Sequence, residues 1–174
     1  MEDLYFEEIA YRDKEIVIDY INENVEYGSN INGLSRISNI TFEEMFDLLQ
    51  IDKFMPFTSW EQPRPASVVY LLMRKSDNKL LGTFTLRFYL TKEIDEKFIG
   101  NISYGIRPTE RRKGYATKGL KLMLDKCRKR KMKTVRIGCK SMNVGSKKTI
   151  LKNGGVLIKT KSGLLAEEYY EIAL

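Results

Sequence analysis

The stretch Arg107-Pro108-Thr109-Glu110-Arg111-Arg112-Lys113-Gly114-Tyr115-Ala116-Thr117 joins two segments of different periodicity, and its reading decides the fold. Before it, about Phe98 to Ile106 reads as a strand that Pro108 stops. After it, Ala116, Leu120, Met123, Leu124 and Cys127 recur at the spacing of one helix face, while Lys118, Lys121, Asp125, Arg128 and Lys129 take the other. A helix N-terminus offers unpaired N–H groups and about half a positive charge, so it holds phosphate without needing any particular side chain. What it needs is access. Gly114 omits a Cβ where a pyrophosphate would approach, Ala116 keeps the next turn small, and three cations precede them. Neither G-x-x-x-x-G-K-[ST] nor G-x-G-x-x-G occurs, so kinase, GTPase and NAD-dependent readings fall away.

Upstream, the chain reads as a short strand at Leu4 to Ile9, a helix from about Asp13 to Asn24, a polar loop, and a second helix opened by Thr41. In that helix Thr41-Phe42-Glu43-Glu44 has the form of a capping box. Trp60 to Pro65 is a turn-rich crossing. Ser67 to Met73 and Leu81 to Tyr89 form a hairpin across Ser76-Asp77-Asn78-Lys79. Downstream come a strand Val135 to Lys140, a helix from about Val144 to Lys152 closed by Asn153-Gly154-Gly155, a strand Val156 to Thr160, a Ser162-Gly163 turn, and a last strand near Glu168 to Ile172. Strands lead and a strand-helix-strand unit sits at the centre, which predicts an α/β domain with a mixed sheet spanning residues 1–174.

The 174 residues are 43% hydrophobic and 30% charged, the balance of a globular chain that buries its own core without staples. The chain has no His and two Cys, Cys127 and Cys139, which excludes zinc sites, His-based triads and Cys-His dyads. No apolar run approaches the ~20 residues of a membrane span, and the acidic MEDLYFEEIA start is unlike a secretory signal, so the expected location is the reducing cytoplasm. The Asn39 and Asn101 glycosylation patterns are accordingly read as accidental. The net charge of +7 is local: residues 111–133 carry eleven Lys or Arg against Asp125, leaving −3 for the rest. Nucleic acid, an acidic membrane surface, one small polyphosphate or a solvated helix face each fit that run. A nucleic-acid reading ranks low, because the basic stretch has no recognised motif and no interleaved aromatics.

Arg111-x-x-Gly114-x-Ala116 resembles the R-x-x-G-x-[GA] pattern with which GNAT (Gcn5-related) N-acetyltransferases hold the pyrophosphate of acetyl-CoA. The resemblance continues through the next strand to Asn143, the small residue Ser146 and the Asn153-Gly154-Gly155 turn. It covers Ser67 to Leu174, and is closest to a bacterial branch of predicted acetyltransferases with a Pro-x-Ser crossing (Pro65-Ala66-Ser67), an arginine late in the third strand (Arg87) and a Gly-Gly after the last helix. Residues 1–60 fit by element order alone. The implied fold is a GNAT-type mixed, mostly antiparallel twisted sheet with helices on both faces and a central strand-loop-helix acetyl-CoA site.

The implied acetyl-CoA residues are Ile106, Arg107 and Pro108 at the strand end, then Arg111, Arg112, Lys113, Gly114, Tyr115, Ala116 and Thr117, and finally Asn143 and Ser146. Backbone N–H groups from Arg112 to Thr117 would take the pyrophosphate. Ile106 and Arg107 would pair with the pantetheine arm as an added strand does, given a splay between their strand and Val135 to Lys140. The Ile106 N–H would serve as the oxyanion donor. Asn143 reads equally as a helix cap, and Ser146 as a small first-turn residue.

Two departures stand out. The family's helix tyrosine, which protonates the leaving thiolate, is Ile150 here, and its strand glutamate is absent from the Gly100 to Ser103 region. Tyr115, Tyr104 and Tyr170 are candidate donors, with Tyr115 put first, and Glu61 or Glu96 candidate bases. Cys127 and Cys139 read as core thiols, while Trp60 and Arg87 could each belong to an acceptor pocket or to ordinary packing. The implied function is acetyl-CoA-dependent N-acetylation of a primary amine on a small molecule or peptide, by a monomer or homodimer without metal or membrane. The alternative from another class is a non-catalytic acyl-CoA-binding module.

Overall fold

A computed structural model describes residues 3–34, 40–54, 58–59, 62–63, 65–90, 92–96, 98, 100–163 and 166–174. Its elements in order are β1 (Leu4–Glu8), α1 (Lys14–Glu26), α2 (Phe42–Phe54), β2 (Thr58–Ser59), β3 (Gln62–Pro63), β4 (Ser67–Arg74), β5 (Lys79–Arg87) and α3 (Lys92–Glu96). Then follow β6 (Ile102–Ile106), α4 (Tyr115–Lys129), β7 (Thr134–Lys140), α5 (Val144–Lys152), β8 (Val156–Lys161) and β9 (Glu167–Ala173). Thr41 caps α2 as its sequence indicates: its Oγ1 accepts from the Glu44 N–H at 3.2 Å, and Glu44 Oε2 accepts from the Thr41 N–H at 2.7 Å.

The strands form two antiparallel sheets in the orders β1-β4-β5-β6 and β7-β9-β8, with β2 and β3 as a separate ribbon. β4 shows why helices cover both faces of the first sheet. Val68, Tyr70 and Leu72 face α4 and α5, whereas Val69, Leu71 and Met73 face α1 and α2. A strand buried on both sides reads as a continuous apolar run, and each fully buried side chain contributes roughly 1.5–3 kcal/mol. Gly119 brings α4 close, since a Cβ there would lie 2.6 Å from Phe84 Cζ and 2.9 Å from Leu72 Cδ2.

One sequence expectation is corrected and one element is added. The strand expected from about Phe98 to Ile106 starts at Ile102, because Phe98 and Gly100 both adopt positive φ, at 57° and 71°. α3 is an addition that the sequence reading did not contain. Among the described residues no helix is long and apolar enough to cross a membrane.

Candidate active site

The β6–α4 connection is built to expose its backbone. After β6 one 3-10 turn, Pro108–Glu110, leads to Arg112 at φ 64° and Gly114 at φ 84°. A left-handed arginine costs about 1–3 kcal/mol, so the surrounding contacts must hold it. Nothing lies within 4 Å of a Cβ built on Gly114. Glycine suits this position through its φ, and the added carbon of any other residue would project into open space. The first helical bond of α4 runs from the Lys118 N–H to the Gly114 carbonyl at 3.1 Å. The N–H groups of Ala116 and Thr117 therefore precede the first intrahelical bond, at the positive end of the helix.

The side chains around this loop are tied to α1. Arg111 donates from Nε to the Ile106 carbonyl at 2.8 Å, from Nη1 to Ser29 Oγ at 2.9 Å and from Nη2 to Asn24 Oδ1 at 3.3 Å. Buried Arg107 pairs with Asp19 at 2.6 Å and Glu23 at 3.2 Å, and Glu23 also accepts from the Thr109 N–H at 3.0 Å. Lys113 pairs with buried Glu110 at 2.9 Å, beside Lys79 and Arg74. Burial alone would raise the Glu110 carboxyl, but Lys113, Lys79 and Arg74 outweigh it and hold the group down at about 2. Arg112 is exposed at the mouth of the cleft.

The cleft follows from the parting of the two sheets. β6 and β7 meet where the Asn101 N–H donates to the Arg136 carbonyl at 2.7 Å and the Arg136 N–H to Asn101 Oδ1 at 2.8 Å. Beyond that point each strand is the edge of its own sheet. A cavity of about 710 Å³ opens there, lined by Tyr104, Gly105 and Ile106 of β6, by Arg111, Arg112, Gly114 and Tyr115 to Thr117, and by the start of α5 including Asn143 and Ser146. Arg107, Pro108 and Lys113 are not among its walls. The Arg107 N–H donates to Leu81 of β5 at 2.8 Å, and antiparallel alternation then turns the N–H groups of Tyr104 and Ile106 to the open edge.

That alternation corrects one expectation. Arg107 cannot pair with an added chain, since its N–H is on Leu81 and its carbonyl accepts from the Glu110 N–H at 3.0 Å. The open positions are Ile106 and Tyr104.

On the far wall, Asn143 caps α5, its Oδ1 accepting from the Ser146 N–H at 3.0 Å, so its carbonyl is engaged and its amide nitrogen is the group left to face the cleft. The Ser146 hydroxyl lies 2.9 Å from the Tyr104 hydroxyl. Tyr104 stacks on Phe84 with ring centroids 5.2 Å apart, and burial pushes its phenol up to about 12 despite the Ser146 contact. Ile150 is fully buried and takes no part in the cleft surface.

The other candidates scatter. The Tyr115 hydroxyl accepts from Arg74 Nη1 at 3.1 Å, which ties it to the Glu110 ion cluster. Tyr170 donates to Glu168, and burial together with that carboxylate raises its phenol. Glu96 is exposed on α3, while Glu61 and Trp60 lie outside the described residues. Arg87 donates to Ser103 Oγ at 3.2 Å, and its burial disfavours the charge. Burial raises both thiols, Cys127 to about 11. Sequence reasoning missed Asp19, Glu23, Asn24 and Ser29, which lie 82 to 88 residues from the loop groups they hold and carry no local signal.

The arrangement can seat an anion on the N-terminus of α4 and lay an extended chain along the edge of β6. The Acetyltransferase (GNAT) domain model matches residues 6–156. This chain belongs to the GNAT acetyltransferase family. As a GNAT protein it resembles three solved structures in fold. One is the ribosomal-protein-S5-alanine acetyltransferase of Vibrio fischeri, with 13% identity, 99% of this chain and 94% of that one covered, and a TM-score of 0.73. The second is a GNAT acetyltransferase of Streptococcus pneumoniae, with 13% identity, coverages of 99% and 100%, and a TM-score of 0.70. The third is a ribosomal L7/L12 α-N-protein acetyltransferase in complex with coenzyme A, with 12% identity, coverages of 98% and 94%, and a TM-score of 0.71. No curated protein matches this GNAT chain by sequence. Acetyl-CoA is the acyl donor of the GNAT family.

Proposed function

We propose that the protein transfers acetyl from acetyl-CoA directly to a primary amine of a small molecule or peptide, within a ternary complex and without an acyl-enzyme. The observation that carries this reading is the parting of β6 from β7 beside the N-terminus of α4, with both lining one cavity. The pyrophosphate would sit on the N-terminus of α4 with Arg112 beside it, and the pantetheine arm would run along the open edge of β6, leaving the Ile106 N–H for the thioester carbonyl. The Asn143 amide would donate to an arm carbonyl.

The thioester is already activated, so positioning and charge stabilisation are the main tasks. The neutral amine attacks the carbonyl carbon, and the oxyanion that forms meets the Ile106 N–H, a contribution of about 2.7–4 kcal/mol in other acyl transfers. The nitrogen then gives its proton to solvent, the C–S bond breaks, and the sulfur gains a proton. Either hydroxyl of the Tyr104–Ser146 pair can donate; with Tyr104, held protonated by its burial, donating to Ser146 Oγ, the Ser146 hydrogen would turn toward the cleft as a donor to the departing sulfur. A thiolate with a pKa near 8.5 leaves without full proton transfer, so this pair lowers the barrier without being indispensable.

An acceptor screen tests the proposal: free thiol is measured with amines, aminoglycosides, amino acids and peptides, including peptides with free N-termini because two of the fold relatives act on ribosomal proteins. Two observations favour the second reading, a non-catalytic acyl-CoA binder: Ile150 is buried, and β6 carries no carboxylate. That reading predicts acetyl-CoA binding with no acetylated product from any class.

A further inference from the structure

The acetyl-CoA cleft leaves most of the basic run unexplained. α4 has 15 residues and so separates its two ends by about 22 Å. That is nearly three Debye lengths at physiological salt, about 8 Å each, so charge at the C-terminal end of α4 contributes little to a phosphate at the N-terminal end. Yet Lys129, Arg130, Lys131 and Lys133 all stand exposed there, next to half-buried Lys126. Arg128 is paired with Asp125, and Arg136 with Asp95 and Glu171, so neither is counted with them.

Several features hold these like charges together against their repulsion. Arg130 lies over the Phe88 ring at 4.5 Å and donates to the Tyr70 hydroxyl at 3.3 Å, while Lys126 lies over the Tyr70 ring at 4.6 Å. Burial, then Arg130 and Lys129, disfavour the charge on Lys126. Lys131 occupies a left-handed conformation, φ 59°, that glycine or asparagine would adopt with less strain. Residues 124–133 contain no aromatic side chains, and the fold supplies them from β4 and from Phe88 just after β5. Beside the patch a groove of about 310 Å³ is lined by Phe88, Leu90, Met132, Lys133 and Thr134, at the small end of ligand-pocket sizes.

We propose that Lys126, Lys129, Arg130, Lys131 and Lys133, with this groove, form a docking surface for the phosphodiester backbone of a single-stranded nucleic acid, separate from the acetyl-CoA cleft. A run of phosphates complements a cluster of cations that has no role in the cleft, and the groove admits one base beside Leu90, Met132 and the part of half-buried Phe88 that Arg130 leaves open. An anionic membrane fits less well. Phe88 and Tyr70 are covered by Arg130 and Lys126, and Met132 is half-buried, so the centre of the patch has no large apolar wedge to insert.

The test is the anisotropy of a short fluorescein-labelled oligouridylate titrated with the full chain between about 50 and 200 mM KCl, with and without saturating coenzyme A. Binding should be micromolar at about 100 mM and indifferent to coenzyme A, with a log-log salt slope of about −2 to −4 for three to five phosphates. The chain carrying Lys129→Glu, Lys131→Glu and Lys133→Glu should lose at least about tenfold in affinity while keeping its acetyl-CoA-induced rise in melting temperature. The milder Lys→Gln set at the same positions should lose about threefold. Displacement of the RNA by coenzyme A, unchanged binding in both triple variants, absence of binding at about 100 mM, or tighter binding to phosphatidylserine vesicles than to RNA would each overturn the proposal.

Discussion

Arg111 Nε donates to the carbonyl oxygen of Ile106 at 2.8 Å, so the arginine of the R-x-x-G-x-A pattern braces the end of β6 against the loop that follows it. Its other nitrogens reach Ser29 and Asn24, which ties α1 to the same point. The guanidinium thus aligns the edge that would hold the pantetheine arm with the helix terminus that would hold the phosphates.

Arg111→Ala is therefore expected to weaken both stability and acetyl-CoA binding. Hydrogen bonds to a charged group contribute about 1.5–3 kcal/mol, and a comparable loss in the folded chain should lower the melting temperature by several degrees. Acetyl-CoA affinity should fall about tenfold by calorimetry. Arg111→Lys should recover little, because an ammonium cannot span three acceptors in a fixed fork. Affinity unchanged in Arg111→Ala would show that the brace is not needed for the cleft.

Gly114→Glu places bulk and negative charge in open space at the N-terminus of α4. Acetyl-CoA at a hundredfold excess over its Kd should stabilise the parent chain by about 2.7 kcal/mol, seen as a higher melting temperature, and this rise should vanish in Gly114→Glu. The unliganded variant should lose about 1 kcal/mol from its φ of 84° and remain folded. A normal ligand-induced shift in the variant would remove the anion site from the loop.

Glu110 links the loop to pH. Its carboxyl is held at about 2 in the folded chain against about 4.3 when unfolded. The folded value is the lower one, so the stabilisation is complete above about pH 5 and is lost as pH falls toward 2. The loss should be about 3 kcal/mol in urea melts across that window, and Glu110→Gln should flatten this part of the profile. An identical acid limb in Glu110→Gln would contradict the assignment.

Tyr104 and Ser146 should act as one unit. Tyr104→Phe and Ser146→Ala are each expected to lower kcat about 10–100-fold with acetyl-CoA affinity nearly unchanged, and the double variant should lose little more than either single one. Because the phenol titrates at about 12, no decline in rate from Tyr104 should appear below about pH 11. Tyr115→Phe should keep most of the activity. Ile150→Tyr should destabilise the chain by about 1–3 kcal/mol through overpacking and should not raise turnover, since the side chain it replaces is fully buried.

What the sequence made legible was local. Gly114, the helix face from Ala116 to Cys127, the Thr41 cap and the β4–β5 hairpin all follow from spacings of a few residues, and each appears in the fold. The clamp of Asp19 and Glu23 on Arg107 and Thr109, and the meeting of Tyr104 with Ser146, join segments 42 to 88 residues apart and depend on the completed packing. Arg107 was misread for a related reason. Its place next to Ile106 suggested a shared role, but ladder alternation sends adjacent N–H groups to opposite sides of a strand.

The most direct test of the central claim is a crystal structure of the protein with coenzyme A. The proposed site requires pyrophosphate oxygens within hydrogen-bond distance of the backbone N–H groups that open α4, the pantetheine arm along the edge of β6, and the sulfur near both the Ile106 N–H and the Ser146 hydroxyl. Coenzyme A bound away from the α4 N-terminus, or bound there with the edge of β6 unoccupied, would contradict it.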